Sequence, residues 1–258
     1  MSDIDLPLAD RVAAVTGAGG PMGRAVIDRL VADGVSGLAL TDISGRRLDA
    51  TVASLAETAP SVKVASLRGD VTRGDEARAF ADQALAGLGR VDVLVNLVGG
   101  LRSPRLYTPF LEMTEEQWRA TMDLNLMPGF HLIQAFAPGM IERGWGRIVN
   151  VASIVFGGEA GQSDYAAGKA AVASLTRSLA AEFAPAVTVN SVAPGLTRTS
   201  VTQNMPPEEA ERLVAQGMIH RMAEPAETAA AVAFFLRDDA RFLTGEMLSV
   251  SGGIRPHL

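Results

Sequence analysis

From residue 11 onward, short apolar runs alternate with longer stretches in which apolar residues recur every three or four positions. A short run that is apolar on both faces suits a strand covered on both sides, and the longer stretches suit the helices that cover it. Parallel strands cannot be joined by a tight turn, so this alternation restricts the chain to βαβ units. The pattern predicts strands at Val12–Thr16, Gly37–Thr41, Val62–Leu67, Val91–Val95, Arg147–Val151, Val187–Ser191 and Glu246–Val250. Seven such strands with intervening helices make a doubly wound, parallel α/β sheet, Rossmann-like. With 258 residues, 48% of them apolar, the chain can bury one sizeable core, so a single domain over 1–258 is expected.

Most connections are short. The exception, about 196–224, runs from Leu196 to Glu224 and holds Met205, Leu213, Met218, Ile219 and Met222 among charged residues. It precedes a helix expected to start at Pro225, a residue suited to the first helical position. Connections this long in compact domains are usually functional, so it is expected to form a substrate lid; the alternative is a helical hairpin packed on the core.

Charge and composition remove several functions. A net charge of -6 without a run of Lys or Arg gives no footprint for nucleic acid or anionic lipid. There is no cysteine, and His131, His220 and His257 are scattered, so neither a disulfide framework nor a metal centre is expected. The acidic start MSDIDLPLAD lacks the features of a secretory signal, and no apolar run reaches the ~18 residues of a membrane span. A cytoplasmic enzyme fits this pattern.

The first predicted strand runs into TGAGGPMG, Thr16 to Gly23, and then into a helix with Val26, Ile27 and Leu30 on one face. A strand, a glycine-rich turn and a helix start together present backbone N–H groups and a positive dipole end to a pyrophosphate. Gly17, Gly19, Gly20, Pro21, Met22 and Gly23 are the candidate contacts. Asp42 ends the second strand, nineteen residues beyond Gly23, where a carboxylate accepts hydrogen bonds from a ribose diol and repels a 2′-phosphate. NAD is thereby favoured over NADP. Arg46 and Arg47 stand close enough in sequence to pair with a phosphate, or are solvated arginines on the next helix. GDVT sets Asp70 and Val71 after the third strand, and NLVGG sets Asn96, Gly99 and Gly100 after the fourth, all at strand ends where such a sheet binds its ligand. Both could equally be turn chemistry.

YAAGK places Tyr165 and Lys169 four apart, one helical turn, and Ser153 follows an apolar strand. A free phenol titrates near 10, and bringing it near 7 requires roughly 4 kcal/mol of differential stabilisation. A close ammonium plus a cationic cofactor ring are groups able to supply it. Asn125 lies in a helix that Thr114 and Gln117 start as a capping box, and Pro128 leaves the Leu124 carbonyl without its usual donor. A kink that frees acceptors for a water is expected there.

Together these motifs resemble the short-chain dehydrogenase/reductase family, over nearly the whole chain, in the branch of 3-oxoacyl-carrier-protein reductases and secondary-alcohol dehydrogenases. NSVAPGLTRT and FLTGEMLSVSGG extend the match. The resemblance implies that Ser153 holds the substrate oxygen, Tyr165 exchanges a proton, and Lys169 binds the nicotinamide ribose and lowers the tyrosine pKa. Asn125 would hold a water linking Lys169 to solvent, and Pro194, Gly195, Leu196, Thr197 and Thr199 would line the cofactor. It further implies a homotetramer built on the helices bearing Asn125 and Tyr165, the latter lined by Ala166, Ala167, Ala170, Ala171, Ala173 and Ser174. Four departures stand out. Pro21 replaces a glycine, Leu97 and Val98 replace asparagine and alanine, Ser251 replaces an aspartate, and Ser153 and Tyr165 are one residue closer than usual. The expected function is an NAD-dependent oxidoreductase passing hydride between nicotinamide and a secondary alcohol or ketone. The second reading is an NADP-dependent 3-oxoacyl reductase, and a third class is a nucleotide sensor or a halohydrin dehalogenase-like relative.

Overall fold

The computed structural model describes residues 6–103, 105–199 and 202–254. Ser200 and Val201 of the expected lid, Pro104 and His257 lie outside the described residues. Seven parallel strands, β1 (Val12–Thr16), β2 (Gly37–Asp42), β3 (Lys63–Arg68), β4 (Val93–Asn96), β5 (Gly146–Val151), β6 (Val187–Pro194) and β7 (Met247–Val250), form one sheet. Their order is β3-β2-β1-β4-β5-β6-β7. Each strand falls within a few residues of its predicted place. The largest difference is β6, which runs on to Pro194 because its last four residues pair with β7 from Ser191↔Met247 to Pro194↔Val250.

Seven helices wrap the sheet: α1 (Pro21–Ala32), α2 (Gly45–Thr58), α3 (Gly74–Leu88), α4 (Glu115–Glu142), α5 (Ser163–Phe183), α6 (Pro207–Val214) and α7 (Pro225–Leu236). Successive strand residues point to opposite faces, so β1 serves two cores at once. Ala13 and Val15 join Ile27, Leu30, Leu55 and Phe235 on the face covered by α1, α2 and α7. Val12 and Ala14 join Phe80, Leu132, Phe136 and Met140 beneath α3 and α4. Phe80 and Phe136 meet edge-on at 6.3 Å, a geometry worth about 0.5–1.5 kcal/mol beyond the area that it buries.

Three helices begin with proline: α7 at Pro225, as expected, α1 at Pro21 and α6 at Pro207. At the first helical position the missing N–H removes no intrahelical bond, which is how Pro21 takes the place of a glycine. The helix bearing Asn125 is continuous from Glu115 to Glu142, through Pro128 and Pro138, and Thr114 caps it by accepting from the Gln117 amide at 3.1 Å.

At the opposite edge from the strand exits, the wholly buried Asp92 ties three elements. It accepts from the Val12 amide (3.1 Å), from Arg90 (2.8 Å) and from Arg143 (3.4 Å). Asp92→Ala strands these donors, while Arg90 can return partly to water. Urea unfolding should show a loss of about 3 kcal/mol at unchanged m-value. A loss under about 1 kcal/mol would mean that the carboxylate does not hold this edge.

Candidate active site

Parallel strands and right-handed crossovers bring every strand exit, and the helix starts that follow, to one edge of the sheet. The strand order reverses between β1 and β4, and the glycine-rich turn lies there. Gly17 has φ +66°, and a Cβ on Gly23 would lie 2.2 Å from the Gly17 carbonyl oxygen, so the turn closes only around a bare backbone. A Cβ on Gly19 would lie 2.5 Å from the Arg47 Cβ, which presses the start of α2 onto the turn. Gly20 precedes α1 without any side-chain cap, leaving the helix start free of a side-chain acceptor. This cradle fits a pyrophosphate, and the exits of β4 and β1 are clamped by Thr16 Oγ1, which accepts from the amides of Leu97 (2.9 Å) and Val98 (3.1 Å). That clamp accommodates the two departures at Leu97 and Val98.

Asp42 is buried beside the turn. Its Oδ2 accepts from the Gly19 amide at 2.9 Å, and its Oδ1 from the Ser44 amide (2.8 Å) and the Arg47 guanidinium (3.3 Å). Asp70 serves its own turn, with Oδ1 accepting from the amide (3.0 Å) and hydroxyl (2.7 Å) of Thr72, and Val71 is buried behind it. Asn96 is directed into the sheet, donating to Asn150 Oδ1 at 2.9 Å. Pro194, Gly195, Leu196, Thr197 and Thr199 follow one another at the exit of β6, where Thr197 pairs with Ala223. His131 packs on Val71, its Nδ1 3.2 Å from the carbonyl oxygen; among the described residues no group of three or more His, Cys, Asp or Glu could hold a metal.

Ser153, two residues past β5, caps the short 3-10 turn Ile154–Gly157, with the Val155 amide 3.5 Å from its hydroxyl. The Ser153 hydroxyl also hydrogen bonds to Tyr165 and favours the phenolate, but the protein packed around Tyr165 raises its pKa by more. Lys169 lies one turn further along α5, its Nζ 5.7 Å from the Tyr165 ring centroid and donating to the Val151 carbonyl at 2.7 Å. The expectation that Lys169 draws the phenol down is therefore not met by these side chains alone: desolvation dominates, and the ammonium faces a carbonyl. Lys169 is only 3% exposed, and burial lowers its own pKa to about 7.

The kink expected to free backbone acceptors beside Asn125 does not interrupt α4, and the Asn125 side chain has protein partners of its own. Nδ2 donates to the carbonyls of Thr121 (2.7 Å) and Gly100 (2.8 Å), and Oδ1 accepts from the Gly100 amide at 3.0 Å. A Cβ on Gly99 would lie 2.7 Å from both Asn125 Oδ1 and Lys169 Nζ, so bare backbone at that position lets the β4 exit, α4 and α5 converge. Sequence reasoning missed Thr121 and Asp164, and the hydrogen bonds through which Thr16 and Gly100 act, because the partners lie far away in the chain. A cavity of about 410 Å³ opens between Leu196, Met218, Ile219, Glu227 and Ser249–Ile254, at the exit of β7, and none of Ser153, Tyr165 and Lys169 lines it.

A glycine cradle at the sheet's switch point, beside a serine, tyrosine and lysine at neighbouring exits, defines an oxidoreductase of the nicotinamide-nucleotide class. The sequence profile described as enoyl-(acyl carrier protein) reductase matches residues 17–255. Acetoacetyl-CoA reductase of Allochromatium vinosum is 33% identical, over 96% of this chain and 99% of that one. A 3-oxoacyl-[acyl-carrier-protein] reductase of Thermotoga maritima is 34% identical over 96% and 98%. The crystal structure of a short-chain dehydrogenase/reductase of the glucose/ribitol dehydrogenase type from Brucella melitensis superposes with a TM-score of 0.86, at 32% identity over 97% and 99%. The chain belongs to the short-chain dehydrogenase/reductase family.

Burial of Lys169 couples folding to pH. The unfolded chain holds this proton up to about 10.5 and the folded protein only up to about 7, so between those values the unfolded state binds more protons and stability rises with pH. The difference in unfolding free energy between the parent and Lys169→Met should therefore move in the parent's favour across that window. A difference independent of pH there would place the ammonium in water.

Proposed function

We propose that this protein is a nicotinamide-dependent carbonyl reductase that also runs in reverse as an alcohol dehydrogenase, acting on a 3-oxoacyl or 3-hydroxyacyl thioester. The observation that carries the chemistry is the meeting of Ser153, Tyr165 and Lys169 at strand exits beside the glycine cradle. Hydride chemistry comes from the dinucleotide when bound. Ser153 holds the substrate oxygen, and Tyr165, hydrogen bonded to the same serine, gives that oxygen a proton on reduction or takes it on oxidation. Lys169, anchored on the Val151 carbonyl, would hold a ribose hydroxyl, and its lowered pKa lets it pass a proton onward near neutral pH.

The names of the two relatives favour 3-oxoacyl thioester reduction over oxidation of a free secondary alcohol, and so raise the second reading of the sequence. Their substrate class goes with NADP in that reading, whereas Asp42 supports NAD. The carboxylate at the end of β2 beside the turn supports a ribose diol there, and Arg47, 3.3 Å away, is the group through which a 2′-phosphate would be held. The segment 196–224 acts as the lid. Its ends are pinched by the Thr197–Ala223 bridge, and its helix α6 is tied to the loop after β4 by Tyr107, which donates to Glu209 at 2.7 Å. The small residues along α5 support a homotetramer, which light scattering tests directly.

Reduction of an acetoacetyl thioester should proceed faster than oxidation of simple secondary alcohols. Tyr165→Phe should lower kcat by at least ~100-fold with nucleotide affinity nearly unchanged. Turnover within about tenfold of the parent removes Tyr165 from the chemistry.

Cofactor choice is tested at Asp42. A charge-assisted interaction of this kind is worth roughly 1.5–3 kcal/mol, so kcat/KM should favour NADH over NADPH by tenfold or more, and Asp42→Ala should narrow the ratio. A parent that prefers NADPH, or a ratio that Asp42→Ala leaves in place, assigns the site to a 2′-phosphate held by Arg47.

A further inference from the structure

Asp164 has no exposed surface, yet no ion pair among the described residues includes it. It occupies the second position of α5, directly before Tyr165. Its Oδ1 accepts from the Tyr165 amide at 2.8 Å, and its Oδ2 accepts from the Thr121 hydroxyl (2.8 Å) and from Gln117 Nε2 (3.2 Å), both on α4. A buried carboxylate with only neutral donors is expensive to keep, and the start of a 21-residue helix offsets only part of that. A neutral side chain of the same shape would fill the space. What the carboxylate adds is direction, because it can only accept.

That direction propagates. With its proton committed to Asp164, Thr121 Oγ1 offers its lone pairs to the Arg102 amide at 3.3 Å, in the loop after β4. The Thr121 carbonyl takes Asn125 Nδ2, and Asn125 closes the paired bonds to Gly100. The geometry points to Asp164 as a positioning residue that locks α5 at Tyr165 to α4 at Thr121 and to the loop from Gly100 to Arg102, holding Tyr165 and Asn125 in one frame. An asparagine there presents an N–H to Thr121 or Gln117; where it faces Thr121 it occupies one of the two hydroxyl lone pairs and turns the hydroxyl away, which weakens the bond that Thr121 accepts from the Arg102 amide.

This inference rests on the function proposed above for its kinetic arm only. In Asp164→Asn and in Thr121→Val, hydrogen exchange of the Arg102 amide should accelerate about tenfold or more, although Asp164→Asn leaves Thr121 intact. Kinetically, kcat should fall about 10- to 100-fold, with the KM for nucleotide little changed. Thr121→Ser, which keeps the hydroxyl, should restore both readouts, and the double variant should be no slower than the worse single one. Unchanged Arg102 exchange in Asp164→Asn overturns the inference; should that variant not fold, unchanged exchange in Thr121→Val does the same. So does full turnover in both single variants, or a Thr121→Ser that behaves like Thr121→Val. A parent that reduces no carbonyl compound overturns the proposed function instead, and the exchange arm then decides the inference alone.

Discussion

Every strand of this sheet runs in the same direction, and the consequences reach each functional residue. A parallel strand must be followed by a crossover, and crossovers of one hand return the chain to the same edge. Thr16, Asp42, Asp70, Asn96, Ser153 and Pro194 therefore line one edge of the sheet although they are spread over most of the chain. The same geometry directs the start of α1 toward that edge, so a positive dipole end accompanies the strand exits. Hydrogen bonds between loops, above all Thr16 to Leu97 and Val98, then fix how closely the exits approach.

Within that edge, desolvation governs the electrostatics. Lys169 is dehydrated enough to lie near neutrality, and Tyr165 is pushed in the direction opposite to the one that proton exchange needs. Burial thus disfavours the charged form of both residues, and at Tyr165 only the Ser153 hydrogen bond pulls the other way. A cationic ring brought between them would favour the phenolate by charge, which gives a bound dinucleotide an electrostatic role besides redox.

Much of this was legible in the sequence because the signals were local. Strands came from apolar runs, the helix starts at Thr114 and Pro225 from capping chemistry, and the cradle from its glycines. Asp42 was readable because strand ends are readable. The rest depended on contacts between distant residues. Pro128 was expected to kink the helix beside Asn125, which runs on unbroken, and the Asn125 side-chain amide is taken up by Thr121 and by Gly100, whose position relative to α4 no local pattern encodes. Asp164 was invisible for the same reason: at a helix start an aspartate is ordinary, and only packing against α4 makes it a buried anion. The phenol's shift likewise depends on how much protein surrounds it, a property of the assembled fold.

The chain has two tyrosines, and the structure gives them unlike environments. Tyr107 donates to Glu209, and burial together with that carboxylate pushes it up to about 12. Tyr165 has no carboxylate among the causes of its shift, and Ser153 favours its ionised form. Burial raises both phenols, but only the titration of Tyr107 is tied to a carboxylate on α6, so it alone reports on that helix. The protein thereby carries an intrinsic optical label on the contact that fastens α6 to the loop after β4.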